Sequence, residues 1–359
     1  MPIKCLPGHV LLGSLKDGAS DGKKSLPTQE PAMGLFDKIP ARRAMRAARE
    51  ALAGTPEQAS SVPSVDPAPA WTRPTPPDEA NNYLIIILDS CRYDSFMKAK
   101  PKLMTKLGEV EKRYSYATWT APSHYNLLMG LLPHSSPPHV YASEYYKEDF
   151  LRYSERLGFE GMEFSKMVPR LFLPSYLRNT IGYRTNALVS MPVLNPQTPI
   201  NQDFDQFKLM ESHNDMRAMF KDMRFYVDRP SFFLLNVGET HYPYARPDED
   251  TSNWPRIHGV NGVFKNLDKN LREGQLVHAS SAPQFFDDAK MKELKARQVD
   301  TVQYIDSLFE ELYDLVPPNT YITVTADHGE LFGERGYFGH GPIMHNKVME
   351  VPFVEGKIR

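Results

Sequence analysis

The sequence predicts an α/β fold with a mainly parallel central sheet flanked by helices, and three observations carry that reading. Short apolar and β-branched runs occur at Tyr83-Leu84-Ile85-Ile86-Ile87-Leu88, Asn186-Ala187-Leu188-Val189, Ser231-Phe232-Phe233-Leu234-Leu235-Asn236 and Tyr321-Ile322-Thr323-Val324-Thr325. They lack the alternation of a half-exposed strand and read as strands buried on both faces, as in a parallel sheet. Helical periodicity lies between them, most clearly over residues 291–315, where Leu294, Val299, Val302, Ile305, Leu308, Phe309 and Leu312 form a broad apolar face. Polar clusters follow the first, third and fourth runs, and α/β sheets bind their ligands beyond the carboxyl ends of strands.

Composition narrows the class of function. The 359 residues suffice for one large domain or two of medium size. With 41% hydrophobic and 24% charged residues and a formal charge of −2, the chain has no global attraction for nucleic acid, and none is expected as a partner. Cys5 and Cys91 lie too far apart in sequence and context to build a disulfide framework or a zinc ribbon. No apolar run reaches the roughly 18 residues of a membrane-spanning helix, and the stretch 10–15 is too short and too interrupted for a secretory signal. The expectation is therefore a cytoplasmic protein.

The chain divides into four parts. Residues 1–32 are polar and without periodicity, a tail that cannot pack a core, and residues 55–81 form a Pro-rich linker with prolines at 56, 63, 67, 69, 74, 76 and 77. Between them, residues 33–54 read as a short basic amphipathic helix, with Ala41, Ala44, Met45, Ala48 and Leu52 on one face and Arg42, Arg43, Arg46 and Arg49 on others. The mostly alanine face buries little area, which favours a solvated helix; the sharper alternative is peripheral contact with an anionic membrane. Residues 82–359 are the candidate catalytic domain.

The clusters after the strands are Asp89-Ser90-Cys91-Arg92-Tyr93-Asp94, Glu239-Thr240-His241 and Asp327-His328-Gly329-Glu330. A carboxylate at one strand end and an Asp-His pair at another supply oxygen and nitrogen ligands for a hard or borderline divalent metal. Taken alone, each has an ordinary structural reading; Asp89 would cap a helix.

The segment running from Ala117-Thr118-Trp119-Thr120-Ala121-Pro122-Ser123-His124 to Gly130-Leu131-Leu132-Pro133 adds a nucleophile. It resembles the nucleophile segment of the alkaline phosphatase and sulfatase superfamily, and Thr120 takes the nucleophile position. Pro122 suits an early helical position, which would set Thr120 at a helix N-terminus where backbone N–H groups favour phosphate or sulfate. A threonine hydroxyl needs a bound cation to become a good nucleophile near neutral pH. The resemblance extends over residues 82–359. It includes the Asp89 strand end, the Gly182-Tyr183-Arg184-Thr185 turn, the His241-Tyr242-Pro243-Tyr244 loop, the Thr325-Ala326-Asp327-His328-Gly329-Glu330 motif, and Gly339-His340-Gly341-Pro342 with the strand through Val351-Pro352-Phe353.

The resemblance implies one divalent metal ion, manganese, magnesium, zinc or calcium, on Asp89, Thr120, Asp327 and His328. The Asp-x3-His pair that two-zinc members add is missing, because Val237 stands four residues before His241; Glu239 or His340 would have to compensate. Formylglycine sulfatases require Cys or Ser where this chain has Thr120, and an arginine where it has His124. The expected function is a metal-dependent phosphoryl-ester hydrolase or phospho-group transferase that acts on a phosphate-ester substrate through a covalent phosphothreonine. The alternatives are a sulfatase without formylglycine and a non-catalytic scaffold that keeps the fold. His241 and His340 are candidates to protonate the leaving group or bind oxygens, although His340 beside glycines also has a structural reading. Arg92 and Asp94 are expected to brace the strand end as an ion pair. His134, His139 and His345 carry no assignment. Lys347 and Met129 depart from the residues that relatives often have.

Overall fold

The computed structural model describes residues 71–135, 149–160, 172–252, 288–334, 337–341 and 343–358. The expected tail 1–32, the helix 33–54, most of the linker, His139 and Pro342 lie outside them. Residues 71–81 form no helix or strand but are tied to the sheet domain. Arg73 pairs with Asp205, Arg229 donates to the Pro74 carbonyl, and Ala80 and Asn81 are buried.

The first run forms β1 (Asn82–Leu88). It is followed by α1 (Tyr93–Ala99), β2 (Glu111–Tyr114), α2 (Thr120–Leu128), α3 (Tyr153–Leu157), α4 (Leu173–Tyr176), β3 (Arg184–Val189), β4 (Gln206–Leu209), α5 (Met216–Phe220), β5 (Ser231–Val237), α6 (Asp288–Leu315), β6 (Thr320–Thr325), the short strands β7 (Leu331–Phe332) and β8 (Phe338–Gly339), α7 (Asn346–Met349) and β9 (Glu350–Lys357). Seven strands make one sheet in the order β2-β9-β6-β1-β5-β3-β4. β6, β1, β5, β3 and β4 run parallel, and β9 is antiparallel to both β6 and β2. The protein is thus a mixed α/β structure with a mostly parallel central sheet flanked by helices.

β1 explains the missing alternation. Leu84, Ile86 and Leu88 face a core shared with Phe96 of α1 and with Val302, Ile305, Leu308, Phe309 and Leu312 of α6. Tyr83, Ile85 and Ile87 face a second core with Leu127 and Leu128 of α2 and with Tyr153 and Leu157 of α3. Each of these side chains is removed from water on one side of the sheet or the other, which stabilises the fold by about 1.5–3 kcal/mol per large aliphatic. β2 and β4, the two edge strands, escape sequence reading because they are four residues long, half-exposed and mixed in polarity. β7 and β8 pair as a separate antiparallel hairpin, which turns the chain back so that His340 returns to the end of β6. Among the described residues no helix is long and apolar enough to cross a membrane.

Candidate active site

Parallel pairing of β1 with β5 and β6 brings three strand ends to one edge, and the polar clusters meet there. Asp89 follows β1 directly, and its amide donates to the Val237 carbonyl at 2.9 Å, extending the ladder by one bond. Ser90 then adopts a left-handed φ of 61°, which turns its N–H onto Asp327 Oδ1 at 3.1 Å. Asn236 Nδ2 donates to Asp89 Oδ2 at 2.9 Å. Thr240 Oγ1 donates to the Asp89 carbonyl at 2.8 Å. From α6, the fully buried Gln298 donates through Nε2 to the carbonyls of Ser90 at 2.9 Å and Thr240 at 3.1 Å. Gln298 thereby locks two loops together. It was invisible in the sequence, where it is one polar position on an otherwise apolar helix face.

Asp89, Asp327 and His328 are completely buried, and a ligand atom from each lies within 4.8 Å of the others. Asp327 Oδ1 accepts from the N–H groups of Ser90 and His328, but Oδ2 has no hydrogen-bond partner. His328 Nδ1–H donates to the Gly329 carbonyl at 2.9 Å. The Nε2 lone pair is thereby aimed inward, 3.3 Å from Asp327 Oδ2 and 3.3 Å from Thr120 Oγ1. Burial, reinforced by His340, holds His328 well below the usual imidazole range, so the ring is neutral. The two carboxyls divide. Burial would raise Asp89, but the neighbouring His241 and the hydrogen bond from the Asn236 amide bring it below the ordinary range. Burial and the Asp89 charge drive Asp327 well above it. Two buried carboxylates, one with an unpaired oxygen, and a neutral imidazole with its lone pair turned in form a donor set that fits a divalent cation.

Thr120 opens α2, with Trp119 in extended conformation before it. Its side chain is buried, and its hydroxyl reaches the carboxylate-imidazole cluster at His328 Nε2. One turn later, His124 donates from Nδ1 to the Thr120 carbonyl at 2.8 Å and lies 3.7 Å from Asp327 Oδ2. Its own Nε2 is buried without a partner.

His241 and His340 complete the arrangement. The His340 ring lies 4.2 Å from that of His328 and 5.8 Å from that of His241, measured between centroids. His340 Nδ1 faces Glu330 Oε1 at 3.3 Å, and Tyr244 donates to the other Glu330 oxygen. Burial opposes a charge on His340, but the hydrogen bond and charge of Glu330 outweigh it and raise the pKa. Thr120, His241 and His340 open onto a cleft of about 780 Å³ bordered by Trp119, Pro122, Tyr125, Met191 and Val193.

The remaining sequence candidates sort themselves by place. Arg92 is buried and grips Asp94 through two 2.7 Å bonds, as the ion-pair reading expected, and it also reaches Glu334 and the Glu330 carbonyl. Lys347 lies 3.4 Å from Asp94. His134 sits in a backbone bridge with Tyr114, and His345 accepts the Lys347 N–H at the start of α7. Met129 ends α2. Glu239 is buried, with Oε1 accepting the Met216 N–H at 2.7 Å. Neither Glu239 nor His340 belongs to the ligand group of Asp89, Asp327 and His328 among the described residues.

No family model matches the sequence, and no curated protein matches it. Among solved structures, the chain is similar to the C-terminal periplasmic domain of EcEptC from Escherichia coli in complex with Zn, at 12% identity over 79% of this chain and 74% of that one, with a TM-score of 0.47. The soluble domain of lipooligosaccharide phosphoethanolamine transferase A from Neisseria meningitidis matches at 13% identity over 79% of each chain, with a TM-score of 0.44. The 2-O GAG sulfatase BT1596 matches at 14% identity over 78% of this chain and 65% of that one, also at 0.44. All three are likenesses to solved structures at 12–14% sequence identity.

Proposed function

We propose that the chain is a metal-dependent phosphoryl-ester hydrolase or phospho-group transferase that acts through a covalent phosphothreonine at Thr120. The observation that carries the reading is the buried meeting of Asp89, Asp327 and His328 beside the Thr120 hydroxyl, with Asp327 Oδ2 unpaired and His328 Nε2 turned inward. One divalent cation, manganese, magnesium, zinc or calcium, held by Asp89, Asp327, His328 and Thr120, would lower the hydroxyl pKa and neutralise phosphoryl charge when bound. A single ion is favoured because the ligand group among the described residues has neither Glu239 nor His340 in it.

The chain's own groups account for the rest. Thr120 begins α2, so first-turn N–H groups and the helix dipole favour a phosphoryl group next to its hydroxyl. Thr120 Oγ1, its proton passing to water in the cleft, bonds to phosphorus in line as the bond from phosphorus to the leaving oxygen breaks, and it takes a proton back from water when it is released. His340, kept protonated by Glu330 and open to the cleft, gives a proton to that departing oxygen. His241 lines the same cleft and is positioned to hold a phosphoryl oxygen. In the second half, a water or an acceptor hydroxyl attacks phosphorus, loses its proton to His340, and releases Thr120. Water makes the enzyme a hydrolase, and an acceptor makes it a transferase. Phosphorus is favoured over sulfur because threonine at position 120 cannot become formylglycine.

The test is turnover of an aryl phosphodiester by the full chain with manganese or zinc. We expect Thr120→Ala to abolish turnover, by at least about a thousandfold, together with the phosphothreonine detected by mass spectrometry of the quenched wild-type enzyme. Activity surviving that substitution overturns the nucleophile assignment, and preference for an aryl sulfate overturns the choice of phosphorus. Absence of both metal and turnover would leave a scaffold. The compartment proposed is the cytoplasm, and residues 33–54 are read as a solvated basic helix, with peripheral contact to an anionic membrane as the alternative. Cell fractionation and sedimentation with anionic vesicles check it.

A further inference from the structure

The cleft over Thr120 is far larger than a phosphoryl group needs. Its volume of about 780 Å³ is that of a site for a drug-sized molecule. One wall comes from the start of α2, with Trp119, Ala121, Pro122 and Tyr125, and the other from the turn Pro192–Leu194 and its neighbour, with Met191 and Val193. These two elements lie against each other. Trp119 is 42% exposed and Val193 50% exposed, so two large apolar side chains meet water beside a buried polar centre. Among the described lining residues there is no lysine, arginine, aspartate or glutamate, and the side chains with hydrogen-bonding groups besides the Trp119 indole are Thr120, Tyr125, Asn126, His241 and His340.

The position of the cleft identifies its occupant. A phosphate ester seated at Thr120 must direct its ester substituents into the space that Thr120, His241 and His340 share with this wall. A substituent carrying further phosphates would find no lysine or arginine along the described lining, where His340 already serves the departing oxygen, and a polyhydroxylated one would leave hydrogen-bonding groups against Trp119, Met191 and Val193. An uncharged aryl or alkyl group would bury its surface there. We infer that the substrate is a singly charged phosphodiester with an apolar substituent, which the wall of Trp119, Pro122, Tyr125, Met191 and Val193 binds beside Thr120. This inference rests on the phosphoryl-transfer reading above and names the substrate class of that site.

The experiment uses the full chain with manganese and a series of p-nitrophenyl phosphodiesters whose second substituent is methyl, butyl, hexyl, phenyl or thymidin-5′-yl. From methyl to butyl, kcat/KM is expected to rise about fourfold per methylene buried. Hexyl and phenyl should each exceed thymidinyl at least about tenfold, and their ratio tells a chain-like occupant from a flat one. Trp119→Ala and Val193→Asp should each lower the hexyl-to-methyl ratio about tenfold or more. Equal turnover of methyl and hexyl esters, a preference for thymidinyl, or unchanged ratios in both variants overturns the inference while leaving phosphoryl transfer intact. A second arm does not depend on turnover: calorimetric titration of the Thr120→Ala protein with hexylphosphonate and methylphosphonate. Tighter binding of the hexyl compound, lost in Trp119→Ala, upholds the apolar subsite even where no diester is cleaved. Equal affinity sinks it.

Discussion

Glu239 shows how far a single side chain can be displaced from its ordinary chemistry without belonging to the ligand group. It is fully buried, with Oε1 taking the Met216 N–H and Oε2 unpaired. Burial, against the opposing pull of that hydrogen bond, pushes its carboxyl up to about 7. Because the folded pKa lies above that of the unfolded chain, the native state binds the proton more tightly. The resulting stability is complete below the unfolded pKa of about 4.3 and lost as pH rises through about 7. The total is about 4 kcal/mol. Glu239→Gln should therefore flatten the fall in unfolding free energy between pH 5 and pH 8, and urea denaturation at a series of pH values checks it. An unchanged slope would place the titration elsewhere. His124 is a second such case. The sequence presented it as a departure from a family pattern, whereas the fold makes it the donor that fixes the carbonyl of Thr120.

At the scale of elements, the site depends on backbones that approach too closely for a side chain. A Cβ on Gly329 would stand 2.2 Å from the Lys347 carbonyl oxygen, and one on Gly238 would stand 1.8 Å from that of His213. The Gly329 N–H also donates to the Val348 carbonyl at 2.7 Å, which ties the end of β6 to α7. Gly329→Ala should force these segments apart, with a loss of about 1–3 kcal/mol in stability from overpacking. Displacement of His328 should reduce turnover roughly a hundredfold. Denaturation and steady-state kinetics on the same preparation separate the two effects, and full activity would show that the loop absorbs the methyl group. The strands that were legible, β1, β3, β5 and β6, have neighbours on both sides and both faces covered, so burial wrote itself into their composition. β2 and β4 have one neighbour each and partial exposure, and their residues carry no such mark.

For the whole molecule, the meeting of three strand ends would link a cation bound there to folding. Asp327 is held well above the carboxylate range by burial and by Asp89. Without a cation, its contribution is thus present at low pH and lost as pH rises. A divalent cation on these groups competes with that proton, so it should stabilise the protein more at pH 8 than at pH 5. At a hundredfold excess over Kd the gain is about 2.7 kcal/mol, roughly 5 °C in Tm for a domain of this size. Scanning calorimetry with manganese or zinc and after chelation measures the shift. Asp327→Asn should remove most of it, and a metal shift that persists in this variant would assign the ion to other ligands.

The fold class and the site residue types were legible because each is a local property. Buried parallel strands need continuous apolar runs, and the proposed chemistry needs carboxylates, imidazole and hydroxyl, so Asp89, Thr120, Asp327 and His328 could be named one by one as candidates. Their mutual distances could not, since residues 89 and 327 become neighbours only through the pairing of β1 with β6. The same holds for Gln298, which joins two loops from a distant helix, and for Glu330, whose charge on His340 depends on the β7–β8 hairpin. The apolar wall is likewise a tertiary product, because Trp119 and Val193 are far apart in the chain and unremarkable there. Sequence by itself determined which chemistry was available. Tertiary structure decided which groups share one buried volume, because desolvation and charge act between groups brought together in space.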